Sequence, residues 1–429
     1  MKSVWQKTSL PQFPRLEGDL KTDVLIIGGG MAGVLTAYFL QQRGVKYALV
    51  EKDRICSHNT ANTTAKVTAQ HGLIYNKILS SSGAEAARKY YEVNTAALDK
   101  YAELSKSIQC DFELKDNFIF SANAIKLEKE MKALDKIGCA AEFVQELDLP
   151  VVSAGAVKFL NQAQFNPLKL IAGIVKELNI YENTFVREMK GTTAVTDKGT
   201  ISADKVVCAT HFPFINKHGA YFLKLYQHRS YVIALENAPD VGGMYAEDSG
   251  SGMSFRNYDG MLLLGGGGGR TGKNNPSWEF LRDFAGEYYP SAKEKYHWAA
   301  QDCISLDGVP YIGQYGRKTP NFYVETGFNK WGMTSSMVSA MIISDMLTGQ
   351  ENEYADVFKP SRSILKPQLF INGYESLTNL VYPAKKRCPH LGCALKWNSA
   401  EHSWDCPCHG SRFSEEGKLL DNPANGNLP

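Results

Sequence analysis

The sequence predicts an α/β protein that also contains an antiparallel β-sheet and ends in a small all-β unit. Three observations support this fold class. A short apolar run near the N-terminus enters a glycine-rich turn, residues 221–264 alternate apolar and polar side chains, and the last forty-odd residues contain two Cys/His pairs. A chain of 429 residues suggests about three folding units of ~150 residues each.

Composition and charge narrow the class of protein. Hydrophobic residues make up 44% of the chain and charged residues 21%, which is typical of a globular protein. The net charge of +2 gives no argument for nucleic acid or for an anionic membrane as a partner. The longest apolar runs, Val24–Ile27 and Met337–Met346, fall short of the roughly 18 residues of a membrane span. Five cysteines are scattered singly and no signal peptide is evident, so we expect a cytoplasmic protein without a transmembrane segment.

The N-terminal unit predicts a Rossmann-like dinucleotide site. The run 23–27 reads as a buried strand, residues 28–33 spell G-x-G-x-x-G, a helix follows to Gly44, and a second strand ends at Glu51. The glycines let the backbone approach a pyrophosphate, whose charge the helix N-terminus stabilises. Glu51 is placed to accept hydrogen bonds from a ribose diol. The predicted cofactor-binding residues here are Gly28, Gly30, Gly33, Glu51 and Lys52.

Residues 23–54 resemble the N-terminal signature of the D-amino-acid-oxidase-like family of FAD-dependent oxidoreductases. The resemblance implies FAD as the cofactor and an inserted α+β substrate domain. It also implies that the hydroxyl-rich loop 60–66 passes near the flavin, and that the backbone of a residue near 186 meets the adenine. The residues carried over on this basis are Thr63, Thr64, Lys66 and Val186.

A second glycine-rich turn, residues 327–334, opens a predicted helix that runs to Leu347. It resembles the C-terminal flavin loop of the same family, in which the helix N-terminus faces the flavin N1–C2 carbonyl. Lys330 would add positive charge beside the reduced ring, although a lysine in a loop is more commonly just exposed to solvent. The residues carried over are Gly327, Trp331, Gly332, Met333 and Thr334.

Helices and strands between these turns predict the substrate domain. Residues 76–108 and 124–137 have apolar side chains at helical spacing, and the strands of 221–264 form the antiparallel sheet. In the family, such a sheet covers the flavin and carries substrate contacts. Arg256 on this sheet is our candidate for clamping a substrate carboxylate, unless it points outward into solvent. We therefore name Arg256 and Lys330 as candidate catalytic residues.

Two further patterns between residues 205 and 276 are ambiguous. His211 follows a buried strand, 205–210, where it either caps the strand end or lies near the cofactor. The run Gly265–Lys273 imitates a phosphate-binding loop and a second dinucleotide motif. Both imitations fail, because Asn274 replaces the magnesium-binding Ser or Thr and Pro276 separates the run from the next helix. The sequence therefore predicts no separate nicotinamide domain.

The C-terminal segment predicts a metal site. Cys388 and His390 form C-x-H, and after fifteen intervening residues Cys406 and His409 form C-x-x-H. Zinc accepts two Cys and two His tetrahedrally. A Rieske [2Fe–2S] centre uses two Cys on one iron and two His on the other, one of each from each loop. The mixture of ligand types favours the iron–sulfur cluster over a zinc ribbon.

The segments CPHLGC (388–393) and CPCHGSRF (406–413) resemble Rieske proteins of the cytochrome bc complex type. That resemblance implies a disulfide between Cys393 and Cys408 and a hydrogen bond from Ser411 to a cluster sulfide. A tyrosine usually stands where this chain has Phe413. Because donors to the sulfurs raise the potential, we expect a reduction potential below that of the respiratory proteins.

Together these patterns predict domains and a function. We assign residues 1–75, 151–214 and 301–350 to the FAD-binding domain, 76–150 and 215–300 to the substrate domain, 351–366 to a linker, and 367–429 to the Rieske domain, opening with a strand at 367–377. The expected function is an FAD-dependent dehydrogenase. It oxidises the C–N bond of an amine or amino acid and passes single electrons through the cluster to an unknown acceptor. The alternatives are a reductase fed by NAD(P)H and a redox sensor.

Overall fold

The computed structural model describes residues 2–215, 218–249 and 252–429, which form two large β-sheets, one small sheet and the helices that cover them. Short 3₁₀ helices lie at Val4–Lys7, Asn59–Asn62 and Val175–Glu177. The α-helices are α1 Met31–Gln42, α2 Tyr75–Ser105, α3 Ala124–Ile137, α4 Pro167–Ile174, α5 Tyr221–Lys224, α6 Ser277–Tyr288, α7 Gly332–Leu347, α8 Ala355–Phe358 and α9 Pro367–Val381.

The strands form three sheets. They are β1 Leu20–Ile27, β2 Tyr47–Val50, β3 Lys66–Val67, β4 Glu113–Phe120, β5 Glu142–Val144, β6 Ala156–Gln164, β7 Ile180–Tyr181, β8 Glu188–Lys190, β9 Thr193–Val195, β10 Thr200–Cys208, β11 Leu225–Glu236, β12 Met244–Glu247, β13 Ser254–Tyr258, β14 Met261–Arg270, β15 Lys293–Ser305, β16 Tyr311–Gln314, β17 Phe322–Thr326, β18 Lys396–Asn398, β19 Ser403–Asp405, β20 Arg412–Ser414 and β21 Leu419–Asp421.

The first sheet has the order β16-β17-β10-β1-β2-β7, and β17, β10, β1, β2 and β7 run parallel. Strand β1 lies at its centre, between β10 and β2. Val24 and Ile26 pack into the core that includes α1 and α7, while Leu25 and Ile27 pack into a core on the other face. Burial on both faces explains why the run at 24–27 is continuously apolar.

The second sheet has the order β15-β11-β14-β13-β12-β4-β6-β3, and every pair in it is antiparallel except β12 with β4. The antiparallel sheet predicted for the substrate domain is therefore confirmed. Strand β6 also belongs to it, although the predicted boundary at residue 151 assigned that segment to the FAD-binding domain. Helices α2 and α3 pack against each other beside these sheets.

The C-terminal unit is a four-stranded antiparallel sheet, β18 to β21, preceded by helix α9. The strand expected at 367–377 is wrong, because these residues are helical. Pro367 occupies the first helical turn, where no backbone N–H is needed. The residues 351–366 predicted as a linker contain α8, whose Phe358 is buried and stacks on Tyr90. Within the described ranges, no helix combines the length and the apolar character required to cross a membrane.

Candidate flavin cavity and cluster site

A long cavity runs along the carboxyl ends of the parallel strands of the first sheet. This is where open α/β sheets bind ligands, because the loops that follow the strands converge there. Its walls come from the turns after β1, β2, β10 and β17, from β15 of the second sheet, and from β21 with the loop after it. All three sheets therefore meet at one cavity.

The glycine turn after β1 brings backbone segments closer together than any side chain would allow. Gly28 has φ +112°, and a Cβ atom on it would lie 2.5 Å from the Ala209 carbonyl oxygen. A Cβ on Gly33 would lie 2.0 Å from the Gly28 carbonyl oxygen, so Gly33 serves the packing of α1 and does not line the cavity. Gly28 and Gly30 do line it, and α1 begins at Met31 without a side-chain cap from Gly30. These features fit a diphosphate at a helix N-terminus.

Three of the residues predicted to bind the adenosine part of the cofactor lie at one end of the cavity. Glu51, Lys52 and Val186 all line the cavity. The Glu51 carboxylate accepts hydrogen bonds from the backbone N–H of Gly29 at 2.7 Å and of Asp53 at 3.0 Å. These bonds fix the carboxylate at the end of β2, where a ribose would lie.

The hydroxyl-rich loop is only partly placed as expected. Thr63 lines the cavity, together with Asn59 and Thr60, whereas Thr64 and Lys66 do not. The Lys66 ammonium donates to the Tyr245 carbonyl at 2.5 Å, and burial lowers the pKa of Lys66 to about 7. Lys66 is therefore a buried link between strands β3 and β12 of the second sheet, and its position argues against the predicted flavin contact.

Arg256 also lies away from the cavity lining. Its Nη1 atom donates to the carbonyl oxygens of Thr64 and Ala65, and its guanidinium lies over the rings of Trp5 and Tyr258, at 5.5 and 5.7 Å from their centroids. Burial lowers the pKa of Arg256 to about 9. Its Nε and Nη2 atoms have no hydrogen-bond partner among the described residues, but the guanidinium is buried outside the cavity lining, so this position argues against the predicted role.

The turn before α7 contributes several predicted residues to the cavity, namely Gly327, Gly332 and Met333, together with Lys330. Trp331 instead stacks on His71, with ring centroids 5.2 Å apart. Thr334 exchanges hydrogen bonds of 3.0 Å with the backbone of Thr68. Trp331 and Thr334 therefore hold the turn in place on the side that faces away from the cavity.

A pair of opposite charges faces the cavity beside this turn. Lys330 and Asp302 both line the cavity. The Lys330 side chain is exposed to the cavity, but the surrounding protein atoms displace much of the water around its ammonium group. Removal from water lowers the pKa of Lys330 and raises that of Asp302, and the attraction between the two charges opposes both shifts. The Ser230 hydroxyl lies 3.4 Å from Asp302 Oδ2. Asp302 was not anticipated from the sequence, because an isolated acid on a strand carries no pattern.

The cluster site consists of two loops with the same backbone geometry. The N–H of Gly392 donates to the Cys388 carbonyl at 2.9 Å, and the N–H of Gly410 donates to the Cys406 carbonyl at the same distance. Both glycines have positive φ, +80° and +83°. The His390 and His409 rings lie with centroids 4.9 Å apart, almost perpendicular. The structure therefore brings the four predicted ligands, Cys388, His390, Cys406 and His409, to one place.

These donors fit a [2Fe–2S] cluster. His409 is 2% exposed, and neither of its ring nitrogens has a hydrogen-bond partner within the part of the chain that the structure describes. The side chains of Cys388 and Cys406 hydrogen-bond to each other, which lowers the pKa of the Cys388 thiol and raises that of the Cys406 thiol, so the two proposed sulfur ligands lie side by side. Cys393 and Cys408 are joined by a disulfide between the two loops. Ser411 Oγ accepts from the Ala424 N–H at 2.9 Å.

The flavin cavity and the cluster site share a wall that sequence reasoning missed. His211 lines the cavity, and the next residue, Phe212, is fully buried with its ring edge-on to both cluster histidines, at 6.4 Å from His390 and 6.2 Å from His409. The Asn422 amide donates to the carbonyls of Thr210 and Phe212, at 2.7 and 2.6 Å. Residues 210–212 therefore contact both sites.

The glycine-rich run of β14 is part of the same contact. Arg270 donates to the carbonyls of Pro407 and Cys408, at 2.9 and 3.0 Å. A Cβ on Gly272 would lie 2.6 Å from the Pro407 nitrogen. The run that imitates a nucleotide motif thus receives the second cluster loop, and the absence of side chains allows the two backbones to meet.

Comparison with known proteins identifies both parts of the chain. Residues 23–346 match the family model of FAD dependent oxidoreductases, and residues 359–429 match the model of the Rieske [2Fe-2S] domain. The chain belongs to the FAD-dependent oxidoreductase family and carries a C-terminal Rieske domain. FAD and a [2Fe–2S] cluster are the cofactors that these two domains imply, and the Rieske match favours iron over the zinc alternative.

The relatives agree with this classification. The chain is 33% identical to the "Putative Rieske 2Fe-2S iron-sulfur protein YhfW" of Bacillus subtilis, over 99% of this chain and 96% of that protein. Its fold is similar to glycine oxidase from Geobacillus kaustophilus, at 18% identity and TM-score 0.67, covering 80% of this chain and all of that one. It is also similar to L-proline dehydrogenase from P. horikoshii, at 17% identity and TM-score 0.67, covering 82% and 98%.

Proposed function

We propose that this FAD-dependent oxidoreductase is a dehydrogenase that oxidises the C–N bond of an amino acid or amine and sends the electrons out singly through its Rieske cluster. When bound, FAD accepts two electrons from such a bond, and a [2Fe–2S] cluster carries one electron at a time. The observation that carries the proposal is the shared wall at residues 210–212. An oxidase that reduced dioxygen at the flavin would have no need of a second centre beside it.

The charges in the cavity support an amino acid over a simple amine. Lys330 offers a cation for a carboxylate, and Asp302 offers an anion for an ammonium group. A zwitterion would bind with its two ends against opposite charges, which orients the bond between them. The fold neighbours named glycine oxidase and L-proline dehydrogenase point to the same substrate class.

The residues between the two sites support intramolecular electron transfer. Phe212 places an aromatic ring between the cavity wall and both cluster histidines, and Gln227 donates to the Asn422 carbonyl at 2.8 Å. Gln301 donates to the carbonyl of Gly410 in the second cluster loop, also at 2.8 Å. These bonds hold the cluster loops against the residues that line the cavity, which supports transfer within this arrangement of the two domains.

The two alternatives have weaker support. A reductase would need a site for NAD(P)H, but the glycine-rich run 265–273 meets the cluster loop at Arg270 and Gly272. A redox sensor would not require the pair Lys330 and Asp302 in the cavity. The cysteines outside the Rieske domain are free, in keeping with the reducing cytoplasm that we propose as its location.

The test is an anaerobic titration of the purified holoprotein with a panel of amino acids and the corresponding amines. We expect an amino acid to bleach the flavin absorbance and then to produce the EPR signal of the reduced cluster. Lys330→Met should remove the preference for substrates that carry a carboxylate, and Lys330→Arg should retain it. Bleaching by NADH or NADPH, with no response to any amino acid or amine, would show that the proposal is wrong.

A further inference from the structure

Helix α9 has the reverse of the usual polarity. A helix on the surface of a globular protein turns its apolar stripe inward and its polar residues outward. In α9 the buried residues are Asn372 and Asn379, seven positions apart. The outward residues are large and apolar, with exposed fractions of 72% for Phe370, 67% for Tyr374, 67% for Leu377 and 82% for Val381.

These four apolar residues form one continuous face. Their spacing of four, three and four residues places them on the same side of the helix. Two further apolar residues in the segments that flank the helix in sequence are also exposed, Leu365 at 76% and Leu391 at 41%. Contiguous exposed apolar surface of this kind marks an interaction site.

The polar inner face holds the helix in this orientation. Asn372 Oδ1 accepts from Arg270 at 3.0 Å, and its amide donates to the Leu223 carbonyl at 3.3 Å. The backbone carbonyl of Asn379 accepts from the backbone N–H of Ala394 at 2.8 Å. Rolling the helix to bury its apolar face would break these bonds and leave buried polar groups unpaired.

The charges around the apolar face are basic. Lys366 precedes α9, and the exposed residues Lys385, Lys386 and Arg387 follow it. The acid within the helix, Glu375, is turned away to pair with Lys273 at 2.7 Å. An apolar face with aromatic residues and flanking lysines matches an interfacial helix that lies in the plane of an anionic membrane.

We propose that this face of α9 binds the surface of an anionic membrane, with the apolar side chains in the headgroup boundary and the basic residues against the lipid phosphates. A second copy of the chain is a poorer occupant, because both ends of the face are basic and a two-fold contact would bring like charges together. Binding itself does not depend on the substrate. If the proposed function also holds, electrons leave the cluster near the membrane surface, because the basic residues 385–387 directly precede the ligand Cys388 in the chain.

The test is co-sedimentation of the full-length holoprotein with lipid vesicles. We expect binding to an equal mixture of phosphatidylcholine and phosphatidylglycerol, and much weaker binding to phosphatidylcholine alone. Phe370→Glu/Leu377→Glu should abolish binding, and Lys385→Glu/Lys386→Glu should weaken it by about tenfold or more. Matched controls elsewhere on the surface, Ile125→Glu/Val152→Glu and Lys129→Glu/Lys136→Glu, should bind like the unmodified protein.

Two results would overturn the proposal. One is the same sedimentation for the α9 variants as for the controls. The other is absence of vesicle binding together with a dimer in light scattering that Phe370→Glu/Leu377→Glu converts to monomer, which would assign the face to a second copy. Unchanged flavin and cluster spectra in every variant show that the protein is folded. With the spectra unchanged, a loss of vesicle binding concerns this proposal alone. The proposed function is tested separately, by the titration with amino acids.

Discussion

The two sides of the Rieske domain differ in polarity, and the polar contacts lie on the buried side while the apolar residues lie on the exposed side. The inner side, against the flavin-binding part, is polar and buried, with Glu401 held between Arg229 and Arg412 and Asn422 bonded to the carbonyls of Thr210 and Phe212. The outer side, along α9, is apolar and exposed. Directional polar bonds fix the position of a domain more narrowly than apolar contact does. The comparison indicates that the inner side sets the geometry between the two cofactors and that the outer side remains available to a partner.

The largest expected effect comes from breaking the buried charge cluster of the inner side. Glu401 has 1% of its side chain exposed, and Glu401→Ala would leave the buried Arg229 guanidinium without its carboxylate, while Arg412 keeps its pairs with Asp405 and Asp421. We expect a loss of about 3–5 kcal/mol in the free energy of unfolding, measured by chemical denaturation. Glu416→Ala, at an exposed position of the same domain, is the control and should be nearly neutral. A similar small loss for both variants would contradict a docking role for Glu401.

A smaller effect is expected where the inner side meets the cavity wall. Asn422→Ala removes two hydrogen bonds to residues 210–212, at a cost of about 1–3 kcal/mol for the carbonyls left unpaired. Because these bonds position the cluster, cluster reduction after rapid flavin reduction should also slow. Stopped-flow absorbance of the two centres checks this. An unchanged rate of cluster reduction would mean that Asn422 supports folding alone.

Lowering the pH should reduce the stability that the charged residues of the inner side contribute. Burial alone would raise the pKa of Asp421, but Arg412 and Arg229 outweigh it and lower this pKa to about 2. A carboxyl whose folded pKa lies below its unfolded value near about 4 contributes stability above that value and loses it as the pH falls from about 4 to about 2. In Asp421→Asn, stability should therefore fall less over this window than in the unmodified protein. Parallel acid-unfolding curves would contradict this.

The smallest effect on stability is expected on the outer side. Leu377→Ser changes a side chain that is 67% exposed, so the free energy of unfolding should shift by no more than about 0.5 kcal/mol. A loss of several kcal/mol would show that α9 packs against the rest of the protein through its apolar face. Thermal and chemical unfolding of this variant beside Glu401→Ala compares the two sides directly.

The sequence predicted the parts of the two sites that depend on local spacing. The G-x-G-x-x-G turn, Glu51 and the Cys/His loops lie within short segments, so strand, turn and ligand spacing are visible before the chain folds. Arg256, Lys66 and Thr64 were expected at the flavin but lie outside the cavity lining. Sequence position alone does not show which side of a strand or loop faces a ligand.

The remaining features depend on contacts between distant segments. Asn422 meets Thr210 across 212 residues, and nothing in either segment signals the other. The strand expected at 367–377 is wrong because the apolar residues of this segment recur every three or four positions, the spacing of a helix. The net charge of +2 likewise conceals a local basic cluster at 385–387.

The central claim is that the flavin and the cluster exchange electrons within one polypeptide. Anaerobic photoreduction of the flavin in the holoprotein, followed by absorbance and rapid-freeze EPR at several protein concentrations, tests it without a known substrate. We predict that the reduced cluster appears at a rate independent of protein concentration, and more slowly in Phe212→Leu. A rate that rises in proportion to protein concentration, or a flavin that stays reduced beside an oxidised cluster, would contradict the account.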